Sequence, residues 1–355
     1  FNALKTHFKH GGLHKQDLST ERSRNKAMFY VSEALSSLRA AYQAAMSFWT
    51  AIGSEVAAEA LTTVPILGIA ANIANVILRG YYFLQSLRNY LAIKMGEIVK
   101  GVAGGVDVDK EKVDSDVLFR RQTTMKQFAW DNEAREATLR HQKSGDVSDL
   151  FAAHRARGMS EEFNEPLSAP TSSGLAPAKI QELDVAKKIQ EINKKRMTRQ
   201  FPLIVAEISK AVGSVALLTP GAAPAAPIFS GIGSAVSPTM TLMRETKRKA
   251  RERARIAQMQ DKFSIFSLFA DGSKARSTTK FAYEQYSRFL LDRLMRFVDH
   301  DFEKGIPPEL NRTVLYFKSL GIDINSFLEV PDAQLTEENV LNAMMEAFKR
   351  REPVK

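Results

Sequence analysis

Apolar residues recur along most of the chain at spacings of three and four, the period of one face of an α-helix. In 281–298 the positions Ala282, Tyr286, Phe289, Leu290, Leu294, Phe297 and Val298 follow this rule. Arg288, Asp292, Arg293, Arg296 and Asp299 fall largely off that face. Pro307-Pro308 pre-sets the first turn of a helix running to Leu320, and Gly321 supplies its stop. Thr336 suits the N-cap of a final helix, with Glu337 and Glu338 where carboxylates complement the dipole. Val340, Leu341, Met344, Met345 and Phe348 give that helix an apolar face. Core packing is its first reading and a partner groove its second. Alternating β-branched runs between Asn-Gly or Asp-Gly turns are absent. The expected fold is all-α.

The pattern also repeats. Thr123-Thr124-Met125-Lys126-Gln127-Phe128-Ala129-Trp130 is answered by Ser277-Thr278-Thr279-Lys280-Phe281-Ala282-Tyr283. Leu118-Phe119 is answered by Leu268-Phe269, and Thr63-Val64-Pro65 by Thr219-Pro220. The offsets are 155, 150 and 156 residues. Each copy runs from a polar lead-in helix to an apolar one, breaks at Thr-Pro, and ends charged and amphipathic. The expected helices are 22–61, 66–100 and 114–143 in one copy, and 178–218, 227–268 and 277–303 in the other. This gives a basic N-terminal tail at 1–21, a first helical-bundle domain at 22–157, a linker at 158–181, a second domain at 182–303 and a C-terminal helical unit at 304–355. Gly158, Pro166, Ser168, Pro170, Ser172, Ser173, Gly174 and Pro177 mark the linker. Gly101–Asp116 is expected as a long loop. Two copies make paired domains rather than a solenoid.

Two stretches carry no charge: Ala60–Leu78, nineteen residues, and Ala211–Met243, thirty-three. Counted between prolines they are short for a membrane. The thirteen residues after Pro65 give about 20 Å of helix, and Ile228–Ser237 about 15 Å, against roughly 30 Å of hydrocarbon. Pro220, Pro224, Pro227 and Pro238 are expected to break the second stretch. Three settings fit: the centre of a soluble bundle, a hairpin inserted part-way into a bilayer, or burial against other subunits. The hairpin positions are Thr63, Pro65, Gly68, Thr219, Pro220, Gly221, Pro224 and Pro227. Small residues such as Gly68, Ala71, Ala226 and Gly231 let helices approach closely in all three settings.

Composition then weights these settings. The formal charge is +10 with a pI near 9.6, which favours an anionic membrane surface, nucleic acid or an acidic protein. Basic residues flank the second uncharged stretch: Lys194, Lys195, Arg196 and Arg199 before it, and Arg244, Lys247, Arg248, Lys249, Arg251, Arg253 and Arg255 after it. Beside a hairpin they would hold anionic headgroups, at about 1 kcal/mol per residue near the surface. A solvated helix face is the plainer reading of the same run. Cysteine is absent, which removes disulfides, thiolate metal sites and cysteine nucleophiles.

Catalytic chemistry is sparse. His7, His10 and His14 have a helical ligand spacing, but Gly11, Gly12 and neighbouring lysines argue for a flexible basic tail over a metal site. Gly101-Val102-Ala103-Gly104-Gly105 lacks the Gly-Lys-Ser/Thr of a phosphate loop. No Gly-x-Ser-x-Gly elbow occurs. Neither a catalytic residue nor a cofactor is expected. Tyr283, Tyr286, Arg288, Arg293 and Arg296 interleave aromatics with arginines as nucleic-acid surfaces do, although they lie close to an apolar face. The leading expectation is a non-enzymatic, membrane-active or membrane-associating helical protein of the toxin or translocation-component kind. The next is a homo-oligomer or a subunit of a large assembly such as a virion or secretion machine, with the hairpins buried in protein contacts. A nucleic-acid-binding protein is third.

Overall fold

A computed structural model describes residues 15–51, 64–219, 221–259, 280–296, 307–322 and 336–350. The fold is all-α, with no strand among the described residues. The helices are α1 (Lys15–Ala51), α2 (Val64–Ala92), α3 (Met95–Ala103), α4 (Lys110–Ser144), α5 (Val147–Glu161), α6 (Asn164–Ser168), α7 (Pro177–Leu218), α8 (Ala226–Met259), α9 (Lys280–Met295), α10 (Pro308–Leu320) and α11 (Glu337–Lys349).

Local chemistry explains most of the ends. Asp109, Asp146 and Thr336 accept from the amides of Glu111, Ser148 and Asn339 at 2.9, 2.9 and 3.2 Å, and so cap α4, α5 and α11. Gly321 ends α10 at φ 75°, a left-handed conformation that costs glycine no Cβ clash. Gly104 and Gly105, also left-handed, confine the loop expected at 101–116 to 104–109. Pro202 and Pro238 lie inside α7 and α8. The expected break at Pro238 therefore does not occur. One missing amide removes one rung of the ladder, and packing against a neighbouring helix carries the rest.

Two regions share one spine, α7. Its first half, to Gln200, is buried on most sides, and α3, α4, α9, α10 and α11 close around it as a head. Ile93, Val117, Ile180, Leu183, Ile189, Leu290, Leu310, Phe317, Met344 and Phe348 belong to the head's core. Residues from both expected copies and from the C-terminal unit thus contribute to one core. On α11 the face that is buried is the expected one, Val340, Leu341, Met344, Met345 and Phe348, joined by Ala347. Tyr283 and Tyr286 face inwards as well, each with its ring centroid 5.8 Å from that of Phe348.

The stretch expected as a linker, 158–181, holds the end of α5, all of α6 and the start of α7. It is tied down: Asp116 on α4 accepts from the Ser172 amide and hydroxyl and the Ser173 amide at 2.7 to 3.1 Å. Burial would raise the Asp116 pKa, but these hydrogen bonds prevail and hold it below the ordinary carboxylate value. Leu175 then turns into the core.

The second half of α7 leaves the head and packs with α2 and α8, while α1 packs on α2, as a four-helix arm. Adjacent helices run antiparallel. Gly68 of α2 meets Ser214 of α7, while Gln190 of α7 donates to the Ile93 carbonyl at 2.8 Å. On the other side Gly213 meets Ala226 and Ser230 of α8, and Gly233 meets Ala206.

Candidate membrane interface

The far end of the arm is built for close approach. A Cβ on Gly213 would stand 2.5 Å from Ser230 Oγ and 3.1 Å from the Ala226 carbonyl oxygen. One on Gly233 would stand 2.6 Å from the Ala206 carbonyl oxygen, and one on Gly68 3.0 Å from Ser214 Oγ. Any side chain at Gly233 would therefore force α7 and α8 apart. Thr219 ends α7, Gly221 turns the chain at φ 84°, and Pro224 lies in a single 3-10 turn, Ala223–Ala225. Pro65 and Pro227 are each the second residue of their helix, where a missing amide costs nothing. The structure thus brings the Pro65 and Pro227 ends to one tip. Thr63 and Pro220 lie outside the described residues.

The arm turns an apolar stripe outward and buries polar side chains beside Leu78 and Tyr82. Ile66, Ile73, Ile77, Leu84 and Leu91 on α2 are 49% to 61% exposed. Phe201, Val205, Ile208, Val212 and Val215 on α7 are 41% to 63% exposed, and Ile228 and Ile232 continue the surface on α8. The buried positions include Ser32, Asn72, Gln85, Ser86, Asn89, Gln200 and Ser214, none more than 7% exposed. Ser32 and Asn75 form a hydrogen bond between α1 and α2, and Asn75 Nδ2 donates to Ser36 Oγ at 3.4 Å. Two helical stretches, Pro65–Ala103 and Pro177–Leu218, are long and apolar enough to cross a membrane by length and composition, and only 28% of each apolar window is buried.

Charge is arranged along the arm's axis. From the tip inwards, the first charged residue on α1, α2 and α7 is a cation: Arg39, Arg79 and Lys210. Lys210 is paired with Glu207 at 2.9 Å, so α7 carries no net charge from Phe201 to Leu218. That length is about 26 Å. Because α7 and α8 run through their prolines, the helices are longer than the proline-to-proline count allowed.

The basic flanks divide. Lys194 and Lys195 are exposed, and Arg199 is half-buried. Arg244, Lys247, Arg248, Lys249, Arg251, Arg253 and Arg255 lie on α8, which runs away from the tip past its contacts with α7 at Gly213 and Gly233. Arg196 is a correction. It is 2% exposed and bonds to the carbonyl oxygens of Leu320, Ala347 and Arg350 at 3.2, 2.6 and 3.2 Å. It satisfies carbonyls at the ends of α10 and α11, which have no partner within their own helices, so it is not available to a headgroup.

The head's two buried carboxylates are likewise occupied, although Ser319 Oγ and Arg293 Nε have no hydrogen-bond partner among the described residues. Glu182 accepts from Arg312 at 2.8 Å and Tyr316 at 3.1 Å and pairs with Arg293 at 2.7 Å. Asp184 accepts from Arg121 at 2.7 Å and Tyr286 at 3.1 Å. Burial, then Asp184, pushes the Tyr286 pKa well up; burial, then Glu182, does the same to Tyr316. Burial opposes charge on Arg121, but Asp184, Tyr286 and Glu191 outweigh it. These carboxylates are saturated, which locks four helices together rather than poising a base. Arg293, expected off the buried face, is inside it for this reason. Lys188 is also buried, 5.9 Å from the Tyr283 ring centroid; burial, then the charges of Lys195 and Arg121, lower its pKa to about 7. No group of metal-ligating side chains occurs among the described residues. His7, His10, His14 and His300 lie outside them.

Sequence reading missed the exposed isoleucine stripe of α2. Its signal was Asn72, Gln85, Ser86 and Asn89 sharing the opposite face of the same helix. Compared with known proteins, the chain matches no family model, no curated protein and no solved structure.

Proposed function

We propose that the protein acts without catalysis, as a membrane-associating helical protein of the toxin or translocation-component kind. The observation that supports this is the arm's outward apolar stripe. In water an Ile/Leu/Val surface of this extent is costly, whereas in a bilayer it is the ordinary exterior and polar side chains belong inside. The basic run of α8 would then sit at anionic headgroups, with the head outside. Flotation with phosphatidylcholine vesicles, with and without phosphatidylglycerol, tests this reading. Binding that needs the anionic lipid and weakens with salt supports it; no binding in low salt at any pH rejects it.

The exposed stripes also fit the rival, a subunit of a large assembly. Size exclusion with light scattering separates the two: a stable ring or filament without lipid favours the rival, and an oligomer that forms only with lipid favours the membrane. We also propose that the chain arose by duplication. Its support is a pair of long antiparallel helices in α1–α2 and again in α7–α8; residues 52–63, between α1 and α2, and Thr278 and Thr279 of the sequence match lie outside the described residues.

A further inference from the structure

The arm holds a group of buried polar side chains that neither the fold nor surface binding uses. Gln200, fully buried on α7, has neither amide atom hydrogen-bonded among the described residues. Asn72 Nδ2 and Ser86 Oγ on α2 are in the same condition, at 2% and 0% exposure. The antiparallel register fixed by Gly68–Ser214 and Gln190–Ile93 sets Gln200 level with Tyr82, one turn from Ser86, and Asn72 level with Lys210 nearer the tip. A buried amide without a partner costs on the order of 1–3 kcal/mol. Two leucines would fill the same space without that cost. Buried polar groups of this kind are ordinarily satisfied by water, which takes two to four polar partners. Asn72 to Ser86 covers about 21 Å of helix axis, about two thirds of the hydrocarbon thickness.

We propose that the α2–α7 seam is a hydrated track which, once the arm is in a bilayer, lines a path for water and small monovalent ions. This rests on the membrane reading above. Its chemistry is that of a neutral polar lining. Amide and hydroxyl groups replace part of an ion's hydration shell, and hydrophobic outer faces seal the path from lipid. More than one copy of the arm is needed to enclose the path, which agrees with a lipid-dependent oligomer.

The test uses the full chain and vesicles of equal parts phosphatidylcholine and phosphatidylglycerol loaded with potassium. Flotation reports binding, and potassium release reports conduction. The variant Asn72→Leu/Ser86→Ala/Gln200→Leu removes the unbonded atoms and keeps the apolar exterior. The expected result is unchanged binding, equal or higher thermal stability, and loss of potassium release. Release that persists at the parent rate with binding intact overturns the seam as the path while leaving the membrane reading standing. Absence of binding by the parent overturns both. Should the triple variant not fold, labelling decides: the chain has no cysteine, so Gln200→Cys and Ile73→Cys each carry a single thiol. A charged, membrane-impermeant thiol reagent is expected to label position 200 and not position 73 in vesicle-bound protein. The reverse pattern, or equal labelling of both, rejects the proposal.

Discussion

The head and the arm are both helical, share α7 and both bury polar as well as apolar side chains, yet they meet solvent differently. In the head, Leu183, Ile189, Leu290 and Phe348 are inside, and every buried charge named above has a partner of opposite sign, a carbonyl or an aromatic ring. In the arm, Asn72 Nδ2, Ser86 Oγ and the Gln200 amide are inside without hydrogen bonds among the described residues, and Ile66, Ile77 and Phe201 are outside. One helix obeys both rules in turn, and the change falls near Gln200. The comparison teaches that the head is complete in water, while the arm has an exterior suited to a different solvent.

The sharpest break concerns buried charge. Glu182→Ala leaves Arg293 and Arg312 in the interior without their shared carboxylate. It is expected to cost about 3–5 kcal/mol in urea denaturation. Gln200→Leu, at similar depth in the arm, is expected to be neutral or stabilising. Equal losses in the two variants would end the distinction between the head's paired charges and the arm's unbonded amide.

Apolar residues give the mirror image. Phe348→Ala is expected to cost about 3–5 kcal/mol, since it opens a cavity against Tyr283 and Tyr286. Ile77→Ser changes an exposed site and is expected to alter stability by less than about 0.5 kcal/mol. It should nevertheless weaken vesicle flotation. If Ile77→Ser destabilises the free protein as much as Phe348→Ala, the arm's exterior is covered in solution and the contrast is lost.

What could be read in advance follows the range of the interactions. The ends of α10 and α11 were legible because Pro308, Gly321, Thr336 and Glu337 act within a turn of where they stand. Arg196 was not, because its partners Leu320, Ala347 and Arg350 lie 124 to 154 residues away. Arg293 failed for the same reason, its partner Glu182 being on another helix. Pro238 was over-read, because a proline that ends an isolated helix is tolerated where α7 supports α8. The arm's outward stripe was hidden differently. Periodicity reports that α2 has two unlike faces and not which of them meets its neighbours, and the habit of placing isoleucine inside gives the wrong answer at Ile66, Ile73 and Ile77.

Lys188 tests how dry the head is. Its pKa is about 7 when folded and about 10.5 in the free side chain. Between these values the unfolded chain holds a proton that the folded chain lacks, so this residue makes stability rise with pH across that window. Below pH 7 both states are charged, and the cost of burying the ammonium is constant and at its largest. Lys188→Met is therefore expected to be the more stable protein at pH 6, on the order of a few kcal/mol, with the advantage shrinking towards pH 10. The difference in urea midpoints between variant and parent at the two pH values isolates this group. A difference independent of pH would place Lys188 in contact with water and make the head wetter than the comparison requires.

The smallest effect asks whether the two regions unfold separately. Gly221 in the arm and Gly321 in the head are both left-handed, at φ 84° and 75°. Alanine in that conformation costs roughly 1–2 kcal/mol from its Cβ contact with its own backbone. An added Cβ at Gly221 has open space around it, so there the cost is local strain alone. If the arm opens without the head, Gly221→Ala should speed hydrogen exchange along the start of α8 and leave the amides of α10 and α11 untouched. Gly321→Ala should do the opposite. Segments that differ in stability within one protein show this pattern routinely. The shared helix decides the outcome: α7 would fray from Leu218 inwards in the first variant and stop near Gln200, where Asn193 and Arg196 fasten it to α10 and α11. Exchange that rises equally in both regions with either substitution would mean that α7 couples them into one unit, and that the arm cannot enter a membrane without loosening the head.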